Sequence, residues 1–223
     1  MRSIIFIFLI LVTIVTELSS QANYPPSVGL NLAMKAGVSV VQTPVGRQNA
    51  LSFNKLPDIG LSGYYPISEN APLGVVANID FCNYSYIIKD YGNGNLYKNS
   101  NSYISFAPSL FFKGIMLGFG FGIPLSADVD GSSIDEGTIN TLYDLRFGYS
   151  YDLYLDESAR LSIYIIASYM LNHIFSDFET NDPMKLIVPQ VENYIINNSH
   201  NPRAASLSIG ISYYYLGSGK STE

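Results

Sequence analysis

From 28 to 40 the chain reads VGLNLAMKAGVSV. Val28, Leu30, Leu32, Met34, Ala36, Val38 and Val40 share one parity, and Gly29, Asn31, Ala33, Lys35, Gly37 and Ser39 the other. Period-two alternation is the mark of a strand with two unlike faces. It recurs along the chain. The run 58–66 opposes Ile59, Leu61 and Tyr65 to Gly60, Ser62 and Tyr64; the run 74–88 opposes Val75, Ala77, Ile79 and Phe81 to Asn78, Asp80 and Cys82. Beyond Asn83 that parity blurs, which predicts a bulge or the edge of the apolar band. In 102–112, Ile104, Phe106, Leu110 and Phe112 face away from Ser105, Ala107 and Ser109, with Pro108 an awkward residue for a ladder because it has no N–H.

The run 114–123 sets Ile115, Leu117, Phe119, Phe121 and Ile123 against Met116, Gly118, Gly120 and Gly122. In 139–151, Ile139, Tyr143, Leu145, Phe147, Tyr149 and Tyr151 oppose Asp144, Arg146, Gly148 and Ser150. In 161–171, Leu161, Ile163, Ile165, Ala167, Tyr169 and Leu171 oppose Ser162, Tyr164, Ile166 and Ser168. The last run, SLSIGISYYY from Ser206 to Tyr215, places Leu207, Ile209, Ile211, Tyr213 and Tyr215 opposite little but Ser and Gly.

The spacers alternate in length. Those near 43–57, 89–101, 124–137 and 172–203 are long and polar; those near 67–73, at Lys113-Gly114 and near 152–160 are short. That rhythm predicts an all-β fold, an eight-stranded antiparallel up-and-down barrel with loops on one rim and turns plus both chain ends on the other. At about nine or more residues each, such strands cross an apolar layer when tilted.

Composition decides which face meets what. Only 13% of residues are charged, about half the usual share, while Tyr and Gly number 18 each. A soluble ligand-binding barrel would need a charged outer face; here the polar parity offers Ser and Gly, and among clear charges only Lys35, Asp80, Asp144 and Arg146. The apolar face is therefore expected to meet lipid. Those four charges are expected to form an ion-pair cluster in a narrow lumen that small residues fill. Its structural reading, satisfying charges in a polar interior, is preferred to a gate. Tyr65, Phe112, Tyr149, Tyr151, Tyr213 and Tyr215 are expected to make an aromatic girdle near the short-turn rim, with Tyr86, Tyr103 and Tyr169 a sparser one above.

At the N-terminus, Met1-Arg2-Ser3 and the apolar run 4–15 precede small residues suited to cleavage, Ser20-x-Ala22. This predicts a signal peptide, 1–22, because about twelve apolar residues are short for a spanning helix. The barrel is expected over 23–216 and a polar tail over 217–223. A single cysteine, Cys82, excludes an internal disulfide and reads as a small filler. The net charge of −6 gives no basic footprint for nucleic acid.

The whole mature chain resembles the small bacterial outer-membrane β-barrels, the OmpA-, OmpX- and OmpW-like and PorT-like families. Its last strand is similar to the signal read by the barrel-assembly machinery: Ser208, Gly210, Tyr213 and Tyr215, although LGSGKSTE follows where the family ends on an aromatic. The resemblance implies location in the bacterial outer membrane, with lipid and that machinery as partners, long loops outside and termini in the periplasm.

Candidates for chemistry are sparse. His173 and His200 bracket the longest loop together with Asp177, Glu179 and Asp182, at spacings that do not impose metal-ligand convergence. His173 and Ser176 would lie on opposite faces of a continued strand, which argues against a rim dyad. Leu186, Ile187, Val188, Val191, Tyr194, Ile195 and Ile196 make the same loop unusually apolar, suited to a lid over the barrel mouth or to a contact with a partner or lipid. No phosphate-binding glycine loop, CxxC or HExxH is present. The expectation is a protein without cofactor, metal or enzymatic activity, with a structural or surface-interaction role toward an unidentified extracellular partner. A passive conduit for small or hydrophobic solutes is the alternative.

Overall fold

The computed structural model describes residues 25–67, 72–155, 158–182 and 198–216. The expected signal peptide, the tail 217–223 and the apolar stretch from Leu186 to Ile196 lie outside them. Eight long strands form a closed antiparallel ring: β1 (Ser27–Ser39), β4 (Asp58–Pro66), β5 (Leu73–Asp90), β6 (Leu96–Phe112), β7 (Ile115–Val129), β9 (Leu142–Tyr154), β10 (Ala159–Met170) and β11 (Ala204–Leu216). Each pairs with its neighbour in sequence order, and β11 pairs back onto β1 from Leu216 opposite Ser27 to Ala204 opposite Ser39. Three short strands, β2 (Arg47–Ala50), β3 (Ser52–Phe53) and β8 (Ser132–Ile134), extend the wall at the long-loop rim.

The register carries apolar residues into continuous outward rows. One row runs Tyr143, Phe121, Phe106, Ile79, Leu61, Leu30, Tyr213, Leu161, Leu153 across neighbouring strands. Val28 and Leu30 are 65% and 63% exposed, whereas Lys35 on the opposite parity is 5% exposed and Asp144 fully buried. An outer surface clothed in exposed Leu, Ile, Phe and Tyr from every long strand far exceeds the scattered apolar residues a water-soluble monomer shows. This is an inside-out arrangement: a transmembrane β-barrel.

Turn chemistry explains the short rim. Lys113 and Gly114 both take positive φ, 48° and 85°, as a two-residue turn matched to strand twist requires. Gly114 is needed there, since a Cβ would press on the Ser150 carbonyl at 2.6 Å. Asp130 and Gly131 repeat the device, at 49° and 86°, between β7 and β8.

Several expectations are corrected at the other rim. The spacers near 89–101 and 124–137 are mostly strand: β5 runs to Asp90, β6 starts at Leu96, and β7 and β8 make a hairpin. Their polar composition reflects strands that rise past the apolar band. The blurred parity after Asn83 is not a bulge, because β5 and β6 stay in register from Leu73–Phe112 to Lys89–Leu96. Cys82 to Tyr86 are all buried: Cys82, Tyr84 and Tyr86 point into the interior, while Asn83 and Ser85 on the outer parity lie beside Lys55 and Leu56. Asn54 N–H donates to the Lys35 carbonyl at 2.9 Å, and its side-chain amide to the Asn83 carbonyl at 2.6 Å. The β6–β7 register shifts at Ser102/Tyr103, where Leu125 of β7 is the extra residue; Tyr103 keeps the inward parity of Ser105 and Ala107. Tyr86 and Tyr103, at 0% and 1% exposure, belong to the interior and not to an upper girdle; Tyr169 does face out. Ile139, expected on the lipid face, precedes β9 and is buried against the interior through a bridge to Phe175.

Ile211 sits midway along the outward face of β11, beside Leu32 and Ile163. Replacing it with Arg should cost about 2–4 kcal/mol, whereas Val45→Arg, on the exposed loop, should change stability by less than about 0.5 kcal/mol. Reversible denaturant unfolding from lipid vesicles measures both, and equal effects would contradict the outward register.

Candidate functional site

The lumen is filled in three tiers. Nearest the short rim, Arg160 of β10 lies against two rings, 4.3 Å from the Tyr214 centroid and 5.3 Å from that of Tyr64. Its guanidinium pairs with Asp152 at 3.6 Å. Tyr214 hydroxyl bonds Ser62 at 2.6 Å, and Phe111 meets Tyr64 edge-on at 5.7 Å. A cation between aromatic faces is stabilised by their quadrupoles without needing water.

The middle tier holds the four charges expected from sequence. Arg146 Nε donates to Asp144 at 3.0 Å, and its Nη1 lies 3.8 Å from Asp80. Asp80 also accepts from Asn31 at 2.7 Å. Lys35 pairs with Asp58 at 2.5 Å, not with either of the other carboxylates, and its ammonium stands 4.1 Å above the Tyr84 ring. Tyr84 hydroxyl donates to Asp144 and so joins the two halves. Gly120 makes room for this: a Cβ there would lie 2.0 Å from the Asp144 carboxylate. Ionised groups taken from water cost several kcal/mol each unless paired and hydrogen-bonded, and here each carboxylate has at least one cationic partner.

The upper tier is apolar. Tyr84, Tyr86, Ile88, Tyr103, Val129, Leu142 and Met170 from the strand tops close around Ile174, Phe175 and Phe178, which the segment after β10 feeds into the mouth. Asn140 side-chain N–H groups donate to the His173 and Phe175 carbonyls at 3.0 and 2.9 Å, and Asn201 donates to Phe175 at 2.6 Å. A short helix, α1 (Phe178–Asn181), ends at Asp182, whose carboxylate takes a 3.0 Å ion pair from Arg47 beside β5. Both side chains are almost wholly buried. Between tiers the lumen keeps two cavities of about 30 and 20 Å³, each roomy enough for ordered water.

The remaining sequence candidates separate by face. Ser208 and Gly210 look inward, and a Cβ on Gly210 would meet the Tyr164 ring at 2.5 Å. Tyr213 and Tyr215 look outward, as do Tyr65, Phe112 and Tyr151, with Tyr149 half-buried on the same side. Phe112 adjoins the Lys113-Gly114 turn, Tyr149 pairs with Ile115, and Tyr215 lies opposite Val28. His173 and Ser176 do not meet: the imidazole bonds the Asn201 carbonyl and Arg203, and the hydroxyl the Thr138 carbonyl. Among the described residues no cluster of three or more His, Cys, Asp or Glu is placed to hold a metal. Asp58, Asp152 and Arg160 were missed although all have lumen parity; extending each predicted strand by a residue or two would have found Asp152 and Arg160. Arg47–Asp182 spans 135 positions and leaves no local signal.

No family model and no curated protein matches the chain. Among solved structures it is similar to Neisserial surface protein A at 14% identity, covering 84% of this chain and 95% of that one, with a TM-score of 0.35. It is also similar to outer membrane protein AlkL, at 10% identity, 92% and 96% coverage and a TM-score of 0.42. Ail, the attachment invasion locus protein of Yersinia pestis, matches at 10% identity, 85% and 99% coverage and a TM-score of 0.34. At identities and scores this low, the membrane reading stands on the barrel's own two faces.

Removing Arg146 strands two buried carboxylates. Arg146→Ala should destabilise the barrel by about 3–5 kcal/mol, and adding Asp144→Asn and Asp80→Asn should restore part of that loss. Denaturant midpoints of the single and triple variants check the coupling; additive losses would break the cluster into independent charges.

Proposed function

We propose that this chain is an integral protein of a bacterial outer membrane whose barrel does not conduct and whose role is structural or interactive, exercised at the long-loop rim. The observation that supports this reading is the crowding of the lumen by side chains. A ring of aromatic, ionic and apolar tiers occupies the bore from Tyr214 to Phe178, leaving cavities of only about 30 and 20 Å³ between them. A pathway would need all three tiers to move, and each is tied to the wall by hydrogen bonds or ion pairs.

Export follows from the N-terminal pattern: residues 1–22 act as a cleaved signal peptide, and the exported chain is inserted by the barrel-assembly machinery reading Ser208, Gly210, Tyr213 and Tyr215. Tyr65, Phe112, Tyr149, Tyr151, Tyr213 and Tyr215 anchor the periplasmic interface. The middle-tier charges serve stability, not gating, and the chain has no enzymatic activity of its own. The long-loop rim, braced by Arg47–Asp182, offers the surface for an extracellular partner.

A second reading has one observation in its favour. The β6–β7 ladder is unpaired at Ala107 and Pro108, between Phe106–Phe121 and Ser109–Gly118. Outside that gap lies an open apolar groove of about 380 Å³ lined by Val75, Leu110, Leu117 and Leu145. A hydrophobic solute passing through the wall would use it. Planar-bilayer recordings and liposome swelling with the purified mature chain separate the two readings. The sealed barrel gives no resolved conductance and no solute entry; a stable unitary conductance, or swelling that Pro108→Val abolishes, favours the conduit.

A further inference from the structure

On the outer wall the apolar band ends abruptly. The row Phe81, Ile104, Ile123 is the last apolar one on β5, β6 and β7, and the next outward row on β5 and β6 is Asn83 and Ser102, followed by Ser85 and Ser100. Against these rows the Lys55–Leu56 segment encloses a cavity of about 120 Å³, lined by Lys55, Asn83, Ser85, Ser100, Ser102 and Asp128, several times the ~30 Å³ share of a water.

The cavity is rich in donors. Asn83 is 7% exposed; its Oδ1 accepts from Ser102 at 2.6 Å, while Nδ2 has no protein partner. A buried amide left unpaired costs about 1–3 kcal/mol, so a site holding one is built for an acceptor. Lys98, on the row above Ser100, turns its ammonium to the Phe53 carbonyl, two residues from Lys55. Lys98 stands above the membrane-crossing rows, where burial and then the charge of Lys55 hold it below the usual lysine range, Asp128 pulling the other way. The Asp128 carboxylate is already engaged by the Gly131 N–H at 3.1 Å. Lys55, three hydroxyls and an orphaned amide therefore line the cavity with one carboxylate, and the Lys98 ammonium stands beside it on the Phe53 carbonyl, at the level where a bilayer turns from hydrocarbon to headgroup.

From this placement we infer that the cavity binds the phosphomonoester headgroup of an anionic lipid in the leaflet on the long-loop side. Charge-assisted hydrogen bonds from Lys55 and Lys98 supply the affinity, and the Asn83 amide N–H with Ser85 and Ser100 satisfies the remaining phosphate oxygens. The inference rests on the membrane reading of the barrel. It adds a specific ligand class to the wall, at a distance from the lumen and the loop tips.

Native mass spectrometry of the mature chain, released from phosphatidylcholine nanodiscs doped with lipid A, tests it. Lipid A carrying both phosphates should be retained over its dephosphorylated form. The Lys55→Ala/Lys98→Ala variant should lose about tenfold in retention or more, and Asn83→Leu a smaller part. Lys113→Ala, at the opposite rim, should match the parent. Heat-modifiable migration verifies that each variant is folded; should the double variant not fold, Lys98→Gln alone carries the comparison. Equal retention of the two lipid A forms, or of parent and folded variants, overturns the site. Complete displacement by millimolar inorganic phosphate overturns the lipid assignment in favour of a free-ion site. A chain that leaves the nanodiscs as a soluble monomer fails earlier, at the membrane reading itself.

Discussion

A strand amide in hydrocarbon has no water to bond, so an open sheet edge is intolerable there. The pairing of β11 with β1 removes the edge, and the rest of the architecture follows from it. Closure forces a strict division of side chains, because in a ring every second residue points at lipid and every other one at its fellows across a narrow bore. The chain satisfies the division with apolar rows outside and Ser, Gly and a few paired charges within. A one-residue slip of any strand would exchange the two sets, and that cost fixes the register.

The narrow bore then sets the chemistry available inside. Eight strands leave space for side chains but not for a water column, so inward charges must find partners among themselves. Arg146 does so by sharing Asp80 and Asp144, Lys35 by taking Asp58, and Tyr84 links the two. Arg160 uses aromatic faces in place of a second carboxylate. Interior glycines serve the same end: Gly120 yields its volume to Asp144 and Gly210 to Tyr164. The density that stabilises the wall is also what narrows the bore, so in the proposed non-conducting role barrel stability and the filled lumen have one physical source.

Above the bilayer level the constraint relaxes. Strands β5, β6 and β7 rise past the apolar band, water becomes available to the backbone, β2 and β3 patch the wall beyond the end of β4 at Asp58, and β8 pairs with the top of β7. The outer face changes from Phe and Ile to Asn and Ser within a single row. That step gives the polar cavity beside Asn83 its place, because a donor-rich concavity is affordable only where headgroups or water can reach it. The same relaxation lets the segment after β10 turn inward and bury Phe175 and Phe178, which no period-two reading would place.

Alternation by itself determined the strands, their apolar faces, and the lumen parity of Lys35, Asp80, Asp144 and Arg146. Each of these is a local property of covalent geometry: successive side chains on a strand point to opposite sides. Only the closed structure decided who meets whom. That Lys35 takes Asp58, that Arg47 reaches Asp182, and that Ile139 joins the plug all depend on which strands become neighbours and how they are staggered. Those pairings join positions distant along the chain, and a pattern with period two carries no record of them.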